Sequence, residues 1–283
     1  MKADTGRRRR LVDDSEVQAI AARFVDARLR ATPLQEYPGE VPHDLETAYR
    51  CQDAAISLWP DDIGGWKVGR IPPALDEQFG SDRLAGPIFR PTIHRVESGQ
   101  PLETPVYVGG FAAIEAEFVI VVANDAPPEK LAWSREEAAE MIADLRIGLE
   151  MASSPLAVIN DIGPAAIVSD FGNNAGLIVG PSIREWRFRT LESMSCEAFI
   201  EGRSVGKGGA FNLSGGPVRS MQFILELAAR RGFPLRANDV IATGQTTGIH
   251  DIRAGQSARI SFGEDGEIVC KAGAFRTSAK LCR

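Results

Sequence analysis

Histidine and cysteine are scarce in this chain and nowhere clustered. Three histidines (His43, His94, His250) and four cysteines (Cys51, Cys196, Cys270, Cys282) are spread over 283 residues. No two histidines have the H-x-x-x-H spacing, which argues against a zinc hydrolase. The cysteines have neither metal-ligand spacing nor the framework of a small disulfide-stapled domain, and their scatter predicts a reduced, cytoplasmic setting. No run of 18 apolar residues occurs, so no helical membrane span is expected. The N-terminus lacks the apolar stretch of a secretory signal. Neither a G-x-G-x-x-G between strand and helix nor a G-x-x-x-x-G-K-[ST] is present, which argues against nucleotide-cradling folds. The missing G-x-S-x-G argues against an α/β-hydrolase. Positive charge is short as well: the formal net charge is -6, which disfavours nucleic acid as a partner. The one basic run, Arg7 to Arg10, reads as a mobile tail or a solvated helix entrance.

What is present suffices for a large core, with 44% hydrophobic and 25% charged residues. Residues 15–30 space Val17, Ile20, Ala21, Phe24 and Val25 as one helical stripe. A second amphipathic helix follows the N-cap candidate Asp44, with Leu45, Ala48, Tyr49 and Ile56 on its apolar face. These helices read as an N-terminal covering layer, residues 1–62, ahead of a catalytic domain, residues 63–283. The proline- and glycine-rich stretch 71–111 reads as a long irregular region, of the kind that is often functional. Ser134 to Glu137 is a capping box for a helix with Ala138, Met141, Ile142 and Leu145 on one face. Pro217 opens a helix over Val218, Met221, Leu225 and Ala228 that Gly232 and Pro234 close. Residues 257–262 and 267–271 form a terminal hairpin. Strands and a few helices alternate without regular βαβ units, which indicates an α+β fold built on mixed or antiparallel sheets.

The chemistry centres on residues 113–122, a β-strand rich in β-branched and aromatic residues. Alternation puts Glu115 and Glu117 on one face, roughly 7 Å apart. Two carboxylates in a partly buried space repel and lose hydration unless a cation lies between them. A hard divalent ion, Mg²⁺ or Mn²⁺, satisfies that need; a solvated edge with two ordinary glutamates is the alternative. A third acid, Glu150, stands in the apolar strand 146–151, and three carboxylates make half of an octahedral shell, leaving room for a bidentate oxygen ligand such as a 2-oxo acid. Lys67 sits in the glycine-flanked strand 64–69, either snorkelling to water or fixed inward as a cation. Ser169, Asp170 and Asn174 lie in a polar turn, where they serve the turn itself or present donors to an anion.

Five segments in order carry a resemblance: Gly65-Trp66-Lys67-Val68-Gly69, Ile114-Glu115-Ala116-Glu117, Leu149-Glu150, Ser169-Asp170 through Asn174-Ala175-Gly176, and Thr243 to Gly248. The set resembles the 2-keto-4-pentenoate hydratases and 2-oxohept-4-ene-1,7-dioate hydratases. These belong to the fumarylacetoacetate hydrolase superfamily, as do the closely similar 4-oxalocrotonate decarboxylases. The resemblance spans residues 14–275 and implies a mixed β-sandwich roll, Mg²⁺ or Mn²⁺ on Glu115, Glu117 and Glu150, Lys67 near the substrate, and a homo-oligomer. It also implies Asp82 as a proton-transfer acid, and Ser169, Asp170, Asn174, Gln245 and Thr247 as substrate-binding residues. Two departures stand out: Met151-Ala152-Ser153-Ser154 follows the third acid, where hydratases usually carry an acidic-basic pair, and Gln245 replaces a small hydroxyl residue. The implied activity is addition of water to a 2-hydroxydienoate. Decarboxylation of a 2-oxo dioate and C–C hydrolysis of an acylpyruvate are the alternatives, and a non-catalytic protein that binds a small acid is a reading of a different class.

Overall fold

A computed structural model describes residues 12–275; the Arg7–Arg10 run and Cys282 lie outside the described residues. Helix α1 (Asp14–Arg30) starts where the Asp13 side chain accepts the Glu16 N–H at 3.0 Å. Its buried stripe is the expected one, extended by Ala27 and Arg28. Helix α2 (Leu45–Leu58) is capped in the same way by Asp44 on the Thr47 N–H, at 2.7 Å.

The strands are β1 (Ile63–Arg70), β2 (Arg83–Phe89), β3 (Ile93–Arg95), β4 (Pro101–Val106), β5 (Phe111–Val122), β6 (Ile142–Ser154), β7 (Asn174–Ser182), β8 (Ser195–Ile200), β9 (Arg203–Gly209), β10 (Val240–Ala242), β11 (His250–Asp251), β12 (Ser257–Ser261) and β13 (Glu267–Ala274). Short helices α3 (Asp76–Phe79), α4 (Arg135–Glu140), α5 (Ile159–Ile162) and α6 (Pro164–Ser169) fill connections, and α7 (Gly216–Arg230) is the long helix that Pro217 announces. One sheet runs β2-β1-β10-β5-β6-β7-β3, with β11 added to β5; the other runs β4-β13-β12-β8-β9. The pairs β1–β10, β3–β7 and β4–β13 are parallel and the rest antiparallel, so both sheets are mixed.

Alternation along β5 divides the interior. Ile114, Ala116, Phe118 and Ile120 enter the main core with Ile260 and Ile268 of the second sheet and Met221, Ile224 and Leu225 of α7. On the opposite face Val119 joins Ile88, Leu177, Val179, Val240 and Ala242 in a smaller cluster. Glu115 and Glu117 share the face of Val119, so the acids stand beside this second cluster.

Two expectations fail for identifiable reasons. The helix that opens at Ser134 ends at Glu140, and Ile142 and Leu145 belong to β6. Pairing with the twelve-residue β5 claims them, so tertiary context overrides a local helical period. The stretch 71–111 is not irregular but contains β2, β3 and β4. Its β2 hides behind Gly86-Pro87, which is tolerated because β2 is an edge strand. The helical layer also lacks a core of its own: Val17, Phe24, Cys51 and Ala55 share one cluster with Phe89, Leu156, Ile159 and Phe171.

Candidate metal centre

Strands β5 and β6 bring the acids together. Glu115 lies directly opposite Glu150 in the ladder, and Glu117 lies opposite Gly148. Oxygen atoms of Glu115, Glu117 and Glu150 all fall within 4.8 Å of one another, and the three residues are 4%, 0% and 0% exposed. Lys67 reaches them from β1, with its Nζ 3.5 Å from Glu150 Oε1. Room for its stem depends on Gly172, and the close approach of the Phe171–Gly172 backbone to β2 depends on Gly86. A Cβ on Gly172 would stand 3.0 Å from Lys67 Cδ, and one on Gly86, opposite Lys67 in β2, would stand 2.1 Å from the Phe171 carbonyl oxygen.

Two hydrogen bonds orient the acids. Glu117 Oε2 accepts the Gly244 N–H at 2.7 Å, and Glu150 Oε1 accepts from Asn174 Nδ2 at 3.0 Å. The Gly244 turn is held on β5 by the Thr243 and Thr246 hydroxyls, which donate to Phe118 O at 2.7 Å and Ala116 O at 2.8 Å. Gly244 itself has φ +122°, and a Cβ there would meet Leu213 Cδ2 at 3.1 Å, so glycine is required.

Burial raises Glu115 to about 7, with Lys67 pulling it down and Glu150 adding to the rise. Burial also lifts Glu117 well above the ordinary carboxylate range, reinforced by Glu150 and Glu115 and opposed by Lys67 and the Gly244 N–H. For Lys67 burial works against the charge, but Glu150, Glu115 and Glu117 outweigh it and set the ammonium at about 12. One ammonium facing three carboxylates leaves an excess of negative charge in a sealed space. Glu117 Oε1 and Glu150 Oε2 are buried without any hydrogen-bond partner. Two orphaned carboxylate oxygens beside a third acid fit a hard, oxygen-seeking dication, so the residues present suit a divalent metal.

The remaining sequence candidates separate. Asn174 belongs to the centre through Glu150. Ser169 and Asp170 do not: the Ser169 hydroxyl donates to Ala165 O at 2.8 Å and accepts from Tyr37 at 3.0 Å, while Asp170 is fully buried against Arg28. Their side-chain partners thus lie in their own segment and at the junction with the helical layer. Gln245 closes its own turn by accepting the Gly248 N–H at 2.6 Å, and the Thr247 hydroxyl meets His250 Nε2 at 3.1 Å. Asp82 precedes Arg83, which pairs with Arg70, three residues along β1 from Lys67; that is roughly 10 Å of strand. Its carboxylate is ion-paired to Arg83 and, at 3.3 Å, to Arg70. On the face of β2 shared with Lys67, Leu84 stands between Asp82 and Gly86, which is opposite Lys67, and Ile88 lies beyond it. Sequence reasoning missed Arg28 and the Gly244 N–H. A cation on the apolar stripe of α1 was the available signal for the first; a backbone donor leaves none.

No family model matches the chain. It is 24% identical over 245 residues to a curated 2-keto-4-pentenoate hydratase of Burkholderia vietnamiensis, covering 82% of this chain and 88% of the relative. Among solved structures, 4-oxalocrotonate decarboxylase from Pseudomonas putida G7, complexed with calcium and acetate, superposes with a TM-score of 0.74 at 19% identity, over 93% of this chain and 99% of that one. Fumarylpyruvate hydrolase from Pseudomonas aeruginosa, in complex with Mn²⁺ and pyruvate, superposes with a TM-score of 0.53 at 16% identity, over 74% of this chain and 89% of that one. In sequence the chain is thus similar to a curated 2-keto-4-pentenoate hydratase, and it shares its fold with the 4-oxalocrotonate decarboxylase and fumarylpyruvate hydrolase structures.

Proposed function

We propose that the chain is a divalent-metal-dependent hydro-lyase that adds water to a 2-hydroxydienoate of the 2-keto-4-pentenoate type, giving a 4-hydroxy-2-oxo acid. The observation that carries this reading is the sealed set of Glu115, Glu117 and Glu150, with two oxygens unpartnered and Lys67 alongside. The relative of Burkholderia vietnamiensis named 2-keto-4-pentenoate hydratase supports the reaction class. Mg²⁺ or Mn²⁺ is the expected ion, since all the side-chain donors are carboxylates.

When bound on the three acids, the ion supplies Lewis-acid polarisation of the substrate's 2-oxo group. The protein's own groups do the rest. Lys67, held as a cation by three acids, stabilises the negative charge that gathers on the 2-oxo oxygen as the dienol ketonises. In the balanced reaction the enol proton leaves, carbons 3 and 5 each gain a proton, and hydroxide adds at carbon 4. Asn174 and the Gly244 N–H keep Glu150 and Glu117 turned toward the centre throughout. Loss of the ultraviolet absorbance of 2-hydroxypenta-2,4-dienoate, with and without EDTA, tests the proposal. Full turnover by metal-stripped protein refutes it.

A second reading is decarboxylation of a 2-oxo dioate. The apolar β2 face beside Lys67 favours it, because loss of CO₂ needs an electron sink and no general base. Trapping of CO₂ separates the two. We further propose a homo-oligomer in the cytoplasm. Exposed Phe188, Phe211 and Ile249 support the first, and the free, buried Cys51, Cys196 and Cys270 support the second.

A further inference from the structure

Arg28 belongs to the helical layer, yet its guanidinium ends inside the roll. It is 4% exposed and flanked by the Phe171 and Tyr107 rings, whose centroids lie 5.2 and 5.4 Å from Cζ. Both Asp170 carboxylate oxygens accept from it, through Nε and, at 3.0 Å, through Nη2. Its other bonds go to backbone: Nη1 donates to Asn174 O at 2.8 Å, and Nη2 to Ser153 O at 3.2 Å and Asp170 O at 3.0 Å.

Ser153 is the last but one residue of β6 and Asn174 begins β7, so one side chain grips both strands at the end nearest Glu150. The ladder is irregular at that place: Met151 pairs with Gly176 and Ala152 with Asn174, which leaves Ala175 as the extra residue of a bulge. A bulge re-aims a neighbouring side chain and gives up ladder bonds to do so. Here the re-aimed side chain is Asn174, whose amide bonds Glu150 Oε1. The guanidinium supplies donors where the ladder is interrupted.

We propose that Arg28 is a positioning residue for the metal centre: by clamping the bulged β6–β7 junction it fixes Asn174, and through it the orientation of Glu150. The proposal rests on the reading of the three acids as metal ligands. An arginine that merely glued the helical layer down would need only its pair with Asp170; the bonds to Ser153 O and Asn174 O extend the grip to the strands that carry the site.

Mn²⁺ binding, followed by the electron paramagnetic resonance signal of the free ion, tests this on the full chain. The variants are Arg28→Lys, Asn174→Ala and the double variant, with folding checked by far-ultraviolet circular dichroism. Lysine keeps the charge opposite Asp170 but lacks the fork that reaches Asn174 O. Folded Arg28→Lys binding Mn²⁺ about 10- to 100-fold more weakly, with the double variant no worse than Asn174→Ala, is the expected result. Wild-type affinity in Arg28→Lys, or losses that multiply in the double variant, overturn the proposal. So does an Arg28→Lys protein that stays unfolded in saturating Mn²⁺, because the arginine then supports the whole fold and not one junction. Failure of the wild type to bind Mn²⁺ is a distinct outcome that removes the metal reading together with this one.

Discussion

Asn174 donates its side-chain N–H to Glu150 Oε1 at 3.0 Å, while Oε2 of the same carboxylate has no hydrogen-bond partner. The carboxylate is therefore held by one oxygen and free at the other. That asymmetry is what a ligand awaiting a cation requires, and it makes the acid set experimentally accessible.

Replacing Glu117 by Gln removes an acid that burial and its two acidic neighbours push toward the protonated form. Without metal, the variant should melt at or above the temperature of the parent, with a gain that grows as pH rises, since the amide cannot ionise and so escapes the repulsion and desolvation that the acid meets. With Mg²⁺ its turnover should drop by about 10²- to 10³-fold, the usual cost of a lost transition-state stabiliser. Melting curves with and without EDTA, paired with the dienoate assay, read both effects. A variant destabilised without metal would contradict the crowding.

The pH response follows from Glu115, raised from its ordinary 4.5 to about 7, chiefly by burial. A folded-state pKa above the unfolded one means the fold favours the protonated acid. That contribution is complete below about 4.5 and is lost as pH rises through about 7. Metal-free protein should thus lose stability across this window, and Mn²⁺ affinity should rise across the same window as the competing proton leaves. Titrations at several pH values with EDTA or Mn²⁺ check the two slopes, which must have opposite signs.

Lys67 at about 12 stays charged throughout the range in which the protein is assayed. Lys67→Met should lower kcat by about 10²- to 10³-fold, and no alkaline limb below about pH 10 should be traceable to the lysine. It should also destabilise the metal-free protein, because the ammonium that faces the acids is gone. A kcat within threefold of the parent would remove Lys67 from the reaction.

Gly244→Ala forces a Cβ onto a backbone at φ +122° and against Leu213 Cδ2 at 3.1 Å. A destabilisation of about 1–3 kcal/mol is expected, with weaker Mn²⁺ binding because the N–H that holds Glu117 shifts. Denaturant melts and Mn²⁺ titration measure the pair. Destabilisation with unchanged Mn²⁺ affinity would show that the turn does not orient the acid.

Asp82→Asn should leave kcat within about threefold but lower stability by about 1–3 kcal/mol, since it removes the carboxylate partner of the buried Arg83 as well as the half-exposed pair with Arg70. A larger loss of kcat would return Asp82 to the proton-transfer role that the family resemblance suggests.

The centre was largely legible because strand alternation is local. Glu115 and Glu117 share a face by spacing alone, and Glu150 stands out as an acid in an apolar strand. The pairing of Asp170 with Arg28 was not legible, because the two lie 142 residues apart. A buried ion pair and a substrate-facing acid look identical in one dimension. Yet Arg28 falls on the stripe of Val17, Ile20, Ala21, Phe24 and Val25, and a cation at a core position is itself a statement that a buried acceptor exists. Strand β2 was missed because Gly86-Pro87 carries turn chemistry, and only its edge position makes that harmless.

The facing of Glu115 and Glu150 across one ladder has a further consequence for folding. Sliding β6 by one residue against β5 would turn every β6 side chain to the other face, sending Glu150 away from Glu115 and Glu117. A metal that binds all three acids therefore binds only the correctly registered ladder. Metal availability during synthesis would act as a proofreader of strand alignment, and shortage of the ion would be felt as misfolding before it was felt as lost turnover.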